Sequence, residues 1–116
     1  MKLVGHPFVN SESCSGRSFV ADGQTLDMAE ININGRYPET GWAKNERVGE
    51  MVYVLRGMGQ LAIRDAEPIE LKVGDVVSVS VGQEFSWTGN NLTILMACSP
   101  AFSSEQYTVT EENHEI

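Results

Sequence analysis

Short apolar or alternating runs, separated by glycine, proline, asparagine and aspartate, recur along most of the chain. In one of them Val77, Val79 and Val81 alternate with two serines, which places the three valines on one face of a β-strand. No long window has apolar residues at the three- and four-residue spacing of a helix. This patterning predicts an all-β protein built as a barrel or a sandwich.

The apolar runs and the turn residues between them predict where the strands lie. The predicted strands cover residues 17–21, 26–34, 50–56, 60–64, 69–73, 76–81, 84–88, 92–98 and 105–110. Turns are predicted at residues 57–59 and 65–68, and a hairpin turn is predicted at residues 89–91, which read Gly-Asn-Asn. Residues 36–42 are predicted to form a polar loop.

Length and charge limit the functions open to the chain. We expect its 116 residues to form one domain, residues 1–116, with a frayed acidic tail at residues 111–116. The net charge of −8 argues against binding to nucleic acid or to an anionic membrane surface. No apolar run approaches the roughly 20 residues of a membrane span, and the first residues lack the apolar core of a secretory signal. We therefore expect a cytoplasmic protein.

The two cysteines agree with a reducing compartment. Cys14 lies in a serine-rich stretch, and Cys98 ends an apolar run. Their spacing is that of neither a metal knuckle nor a redox pair. We predict reduced thiols, with a Cys14–Cys98 disulfide as the alternative.

Two stretches carry a more specific pattern. In the first, Glu50 is followed by six residues rich in Val and Tyr and then by Gly57. The second stretch contains, in order, Gly74, Asp75, Ser80, Gly82, Phe85 and Asn90. Together these stretches resemble the two sequence motifs of the cupin superfamily, over residues 41–90. The resemblance implies a jelly-roll barrel, also called a double-stranded β-helix.

The resemblance also implies a divalent metal held inside the barrel by three histidines and one carboxylate. The histidine positions fall here on Lys44 and Glu46, or on Ala43 and Asn45, and on Phe85. Only Glu50 is retained, and the two histidines of the chain, His6 and His114, lie far from the motifs in sequence. A single carboxylate binds a transition metal only weakly. We therefore expect no metal or other cofactor; if a metal binds, its ligands are Glu46 and Glu50.

Strand alternation places Glu50 on the same face as Val52 and Val54, so Glu50 lies inside the barrel if these two valines face the interior. A buried carboxylate must find a partner or take up a proton. The possible partners from the preceding segment are Arg36, Tyr37, Lys44 and Asn45. Two interpretations remain open: a structural salt bridge in an inactive barrel, or a ligand pocket in which Glu46 and Glu50 accept hydrogen bonds.

Nine residues are candidates for contact with a ligand. They are Arg36, Tyr37, Trp42, Lys44, Asn45, Glu46, Glu50, Phe85 and Trp87. Arg36 could bind a carboxylate or phosphate, or pair with Glu39 in solvent. Trp42 could close the mouth of the barrel or cover a loop. Trp87 could pack in the core or stack on a ligand.

Three functions are compatible with this pattern. The first is a module that binds a small polar molecule, such as a sugar or a metabolite acid, as a sensor or accessory protein. The second is a cupin-fold enzyme of the isomerase, epimerase or dioxygenase type that uses Glu46 and Glu50 with or without a metal. The third is a purely structural role. The resemblance further implies a homodimer, for which Tyr53 and Leu55 supply an outer apolar face.

Overall fold

The prediction of an all-β protein is confirmed by the computed structural model, which describes residues 1–21, 23 and 25–111. The strands are β1 (His6–Ser11), β2 (Cys14–Val20), β3 (Asp27–Tyr37), β4 (Trp42–Asn45), β5 (Gly49–Ile63), β6 (Ile69–Lys72), β7 (Val76–Val79), β8 (Glu84–Ser99) and β9 (Tyr107–Thr110). A 3-10 helix, Ser104–Gln106, precedes β9. Most of the acidic tail, with His114, lies outside the described residues. None of the described residues forms a helix long and apolar enough to cross a membrane.

Three long antiparallel strands, β3, β8 and β5, form the centre of the sheet, with β8 between the other two. All three strands bend at neighbouring positions across the sheet. The pairing of β3 with β8 shifts register between Ile33 and Gly35, and that of β5 with β8 shifts on both sides of Arg56. Gly35, Gly57 and Asn91 have positive φ angles there. Such β-bulges bend a strand strongly without ending it.

Two of the predicted turns are in fact bends within continuous strands. Residues 57–59 and 89–91 do not reverse the chain, because β5 and β8 run through them and stay paired with each other on both sides. The predicted strands 50–56 and 60–64 are therefore one bent strand, and so are 84–88 and 92–98. Glycine and asparagine tolerate positive φ in a bulge as well as in a turn, so local composition does not distinguish the two.

The bends divide the curled sheet into two halves that face each other. One half contains β1, β2 and β7 with the first part of β3 and β5 and the last part of β8. The other contains β4, β6 and β9 with the remaining parts of the long strands. Side chains from both halves form one hydrophobic core, in which Val52, Val54, Leu61 and Ile94 are fully buried.

Two strands were missed by the sequence analysis. β1 is an edge strand with mostly exposed residues, so it lacks apolar alternation. β4 begins at Trp42, the last residue of the predicted polar loop 36–42, and the first residues of that loop end β3. The inward residues of β4 are Ala43 and Asn45, which are small or polar. Neither strand therefore shows the pattern by which strands are recognised.

Candidate functional site

Glu50 lies inside the barrel near the start of β5, with only 7% of its surface exposed. Its backbone pairs with Cys98 of β8 on one side and with Val79 of β7 on the other. Asp27 of β3 pairs in turn with Cys98. Residues directly opposite each other share one face of a sheet. These four side chains therefore form a row across the interior.

The partner of Glu50 is the carboxamide of Asn45. Asn45 Nδ2 donates to Glu50 Oε2 at 2.9 Å, and Asn45 Oδ1 accepts from Gln106 Nε2 at 2.8 Å. Gln106 Oε1 in turn accepts from the backbone N–H groups of Arg47 and Val48. This buried chain of hydrogen bonds fixes both the orientation of Asn45 and the carboxylate oxygen that it contacts.

The other carboxylate oxygen, Glu50 Oε1, is buried and has no hydrogen-bond partner among the described residues. Burial raises the pKa of Glu50 to about 7. The hydrogen bond from Asn45 opposes this shift, and the nearby charge of Asp27 adds to it. Buried polar groups in proteins are nearly always satisfied. An unpartnered carboxyl oxygen that exchanges its proton near neutral pH is therefore the most unusual feature of the interior.

Four aromatic side chains belong to the half-sheet that faces the one carrying Glu50. Phe85 and Trp87 are both buried and pack edge to face, with their ring centroids 6.3 Å apart. Tyr37 pairs with Trp87 across β3 and β8. Burial raises the pKa of Tyr107, and the neighbouring Tyr37 and Glu50 raise it further. Phe85, at the position of a cupin histidine, fills that space with apolar bulk.

Gln106 and Tyr107 are site residues that sequence analysis missed. Both lie in the C-terminal segment, outside residues 41–90, and no motif marks them. Gln106 sits in a single 3-10 turn, where no periodicity reveals that its side chain is buried. The alternation of β9 alone does not reveal that Tyr107 lies close to Glu50.

Cys98 is close to Glu50 but is not a nucleophile. Burial raises the pKa of its thiol, and the adjacent Glu50 and Asp27 raise it further. The thiol therefore stays protonated at neutral pH, and attack requires the thiolate. Cys14 and Cys98 are both buried free thiols, so the alternative of a disulfide between them is not realised.

Four of the nine candidates lie on the outside of the barrel. Because Ala43 and Asn45 face inward, Trp42 and Lys44 face outward. Lys44 pairs with Glu46, whose side chain is 49% exposed, at 3.4 Å. This corrects the expectation that Lys44 and Glu46 share a pocket with Glu50.

Arg36 is the fourth outer candidate. Its guanidinium donates to the backbone oxygens of Pro38 and Gly41, both at 2.8 Å, and lies over the ring of Trp42. A second guanidinium, that of Arg64, lies 6.0 Å from the centroid of the same ring. Arg36 therefore ties β3 to β4, and the pairing with Glu39 considered from the sequence is replaced by these backbone contacts.

The interior residues do not fit the metal that the sequence resemblance implies. No group of three or more His, Cys, Asp or Glu side chains in the described part of the chain is arranged to hold a metal ion. The groups around Glu50 are the carboxylate of Asp27, the carboxamide of Asn45, the protonated thiol of Cys98 and the ring of Tyr107, without the imidazoles that would complete a site for a first-row divalent metal.

Two shallow hollows lie on the outer surface. One, of about 360 Å³, is lined by Glu12, Ser13, Asn34, Arg36 and Glu39. The other, of about 520 Å³, lies over the bends of the three long strands. Neither has Glu50 in its wall, and only 7% of the surface of Glu50 is exposed. A molecule that reaches Glu50 must therefore be small or displace side chains.

Solved structures of similar shape show what kind of fold this is. A variant of Pac13 from Streptomyces, solved with uridine, superposes with a TM-score of 0.82 at 14% identity, over 96% of this chain and 90% of that one. Pac13 is described as a nucleoside dehydratase. A cupin-2 domain from Rhodospirillum rubrum superposes with a TM-score of 0.72 at 12% identity, over 95% and 76% of the two chains.

A third structure, that of KdgF from Halomonas sp., has a TM-score of 0.71 at 14% identity, over 86% of this chain and 90% of that one. These likenesses confirm the fold that the two sequence motifs predict. Identities this low show a shared architecture and carry no activity from one protein to another. No protein-family model matches the sequence, and no curated protein matches it either.

Proposed function

We propose that this chain, a small cupin-fold domain, binds a small polar molecule inside its barrel, with Glu50 as the group that contacts it. The observation that carries the proposal is the buried Oε1 of Glu50, which has no hydrogen-bond partner in the part of the chain that the structure describes. A structural salt bridge is the competing explanation, and it requires a basic partner. The partner found is the neutral carboxamide of Asn45, and no Lys or Arg side chain of the described residues is buried.

The proposed site draws on five of the nine candidates and on two added residues. Glu50, Asn45, Tyr37, Phe85 and Trp87 line the interior, together with Gln106 and Tyr107. Polar atoms that converge among aromatic rings are typical of small-molecule sites. Glu50 is the contacting group, Asn45 and Gln106 are positioning residues, and the rings supply apolar contact.

Glu50→Gln tests this proposal. We expect small molecules that perturb the NMR spectrum of the wild-type protein at Trp87 to lose at least tenfold in affinity in this variant, because glutamine cannot ionise. Glu46→Gln is the matched control, since it removes an exposed carboxylate four residues away. A compound library of sugars, nucleosides and amines is the probe. Equal affinities in the wild type and in Glu50→Gln would contradict the proposal.

A second candidate function is acid–base catalysis on the bound molecule. It is supported by the pKa of about 7 of Glu50, because a general acid or base works best when its pKa lies near the working pH. The likeness to a nucleoside dehydratase makes nucleosides, beginning with uridine, the first substrates to test. Glu50 acts alone in this scheme, since Glu46 faces solvent and the interior does not fit a metal.

We further propose that the protein is a homodimer in the cytoplasm. The outer face of the first half-sheet carries neighbouring apolar side chains, Met28, Met51, Tyr53, Val76 and the partly buried Leu95. Monomeric soluble proteins seldom expose a contiguous apolar patch of this kind, and a twofold interface places such a patch against itself. The free thiols support a reducing compartment.

Tyr53→Glu is expected to convert the dimer to a monomer in sedimentation equilibrium at micromolar concentration. A charge at this position, which is 43% exposed in the monomer, would be buried against its own copy in the dimer. Val81→Glu, at an exposed apolar position in the turn after β7, is the control and is expected to remain dimeric. A monomeric wild-type protein would refute the dimer.

A further inference from the structure

Among the described residues, the titratable groups that face Glu50 are all acids. They are Asp27 on β3, Cys98 on β8 and Tyr107 on β9. The Lys and Arg side chains of the described residues all remain at least partly exposed, and none of their salt bridges involves Glu50. An anion placed beside Glu50 would therefore meet carboxyl groups without a positive partner. The site therefore disfavours the metabolite acids and sugar phosphates that the fold alone would allow, once Glu50 is ionised.

The hydrogen-bonding position at Oε1 of Glu50 also restricts the kind of ligand that can bind. Glu50 Oε2 already accepts from Asn45, so Oε1 is the atom left for a ligand. An ionised carboxylate only accepts hydrogen bonds, so the ligand must donate one. A positively charged donor forms the shorter and stronger charge-assisted bond. The faces of aromatic rings such as Trp87 also attract cations.

We propose that the interior site takes an organic cation, an ammonium group or a protonated nitrogen base, whose N–H donates to Oε1 of Glu50. The proposal rests on the proposed function, because it names the ligand class of the same site. When the cation meets a protonated Glu50, the O–H bond of the carboxyl breaks and its proton passes to solvent. One proton is released for each cation that binds to a protonated site, which balances the charge, so the release per cation falls from roughly 0.9 at pH 6 to roughly 0.1 at pH 8.

Affinity for the cation is expected to rise with pH. The pKa of Glu50 is about 7, so its ionised fraction grows about tenfold between pH 6 and pH 8. Over the same range Cys98 and Tyr107 stay protonated, because burial raises the pKa of both. An alkylammonium, like lysine, keeps its charge throughout. The dissociation constant should therefore fall about tenfold from pH 6 to pH 8.

Three probes of nearly the same shape test the inference: propylammonium, 1-propanol and propionate. Binding to the full chain is followed by NMR chemical shifts of Trp87 and Tyr107, and proton release by calorimetry in buffers of different ionisation enthalpy. We expect propylammonium to bind at least tenfold more tightly than propionate at pH 8. The preference and the pH dependence should disappear in Glu50→Gln and persist in Glu46→Gln.

The outcomes separate this inference from the proposed function. If 1-propanol or propionate binds at Trp87 as tightly as propylammonium and Glu50→Gln abolishes that binding, the site stands and the cation preference is wrong. If propylammonium binds without pH dependence, Glu50 is not its partner and the inference again fails. If none of the probes perturbs Trp87 or Tyr107, the cation inference is overturned, and the interior site is lost with it if the wider library also fails.

Discussion

Gly57→Ala is expected to lower the free energy of unfolding by about 3–5 kcal/mol, enough to unfold much of a marginally stable domain. Gly57 has a φ of 82°, which costs an L-residue about 1–2 kcal/mol. A Cβ at this position would also lie only 2.0 Å from the backbone oxygen of Asn91. The strands β5 and β8 would have to separate at their shared bend to relieve this clash.

Gly82→Ala is the matched control. Gly82 has nearly the same φ, 86°, but a Cβ there meets nothing within 4 Å. The free energy of unfolding of this variant should therefore fall only by the cost of a positive φ angle for alanine, about 1–2 kcal/mol. Urea denaturation of the wild-type protein and the two variants gives both values. Equal losses in the two variants would mean that the close approach of β5 and β8 at Gly57 is not as tight as the geometry indicates.

The bend at Gly57 also shows what sequence analysis can and cannot predict. The alternation of Val52 and Val54 correctly predicted the buried face of β5, because side-chain direction follows from local strand geometry. The continuation of β5 through Gly57 was not predictable. Whether a glycine turns or only bends a strand depends on the partner strand, and here β8 remains paired on both sides.

The residues of the candidate site were likewise predicted only in part. Alternation placed Glu50 inside the barrel, and the preceding segment correctly included Asn45 among its possible partners. Glu46 was predicted to share the site because it is close to Glu50 in sequence. Its side chain points into solvent instead, because Glu46 lies one position beyond the end of β4. Gln106 joins the network across 61 residues, a closure that depends on the path of the whole C-terminal segment.

Stability is expected to fall by about 2–3 kcal/mol between pH 5 and pH 8 through Glu50 alone. Burial raises its pKa from 4.5 in the unfolded chain to about 7 in the folded protein. At pH 5 the carboxyl is still protonated in the folded protein but mostly ionised in the unfolded chain, so about 1 kcal/mol of the penalty is already present, and it vanishes only well below pH 4.5. As the pH rises, the unfolded chain loses this proton first, so unfolding becomes more favourable until the folded protein also ionises near pH 7.

Glu50→Gln isolates this contribution, because the amide does not ionise and its oxygen can still accept from Asn45 Nδ2. Other carboxylates titrate alike in both proteins, so the difference between their unfolding free energies reports Glu50. We expect Glu50→Gln to be more stable than the wild type by about 1 kcal/mol at pH 5 and by about 3 kcal/mol at pH 8. Urea denaturation at several pH values measures the difference.

A gain of stability at pH 8 would also decide between the two interpretations of Glu50. A structural ion pair loses stability when its carboxylate is removed, because its partner is left unpaired. A carboxyl held in the interior for its chemistry instead costs stability at the pH where it ionises, and replacing it relieves that cost. If Glu50→Gln were less stable than the wild type at pH 8, Glu50 would be a structural group and the interior ligand site would lose its central residue.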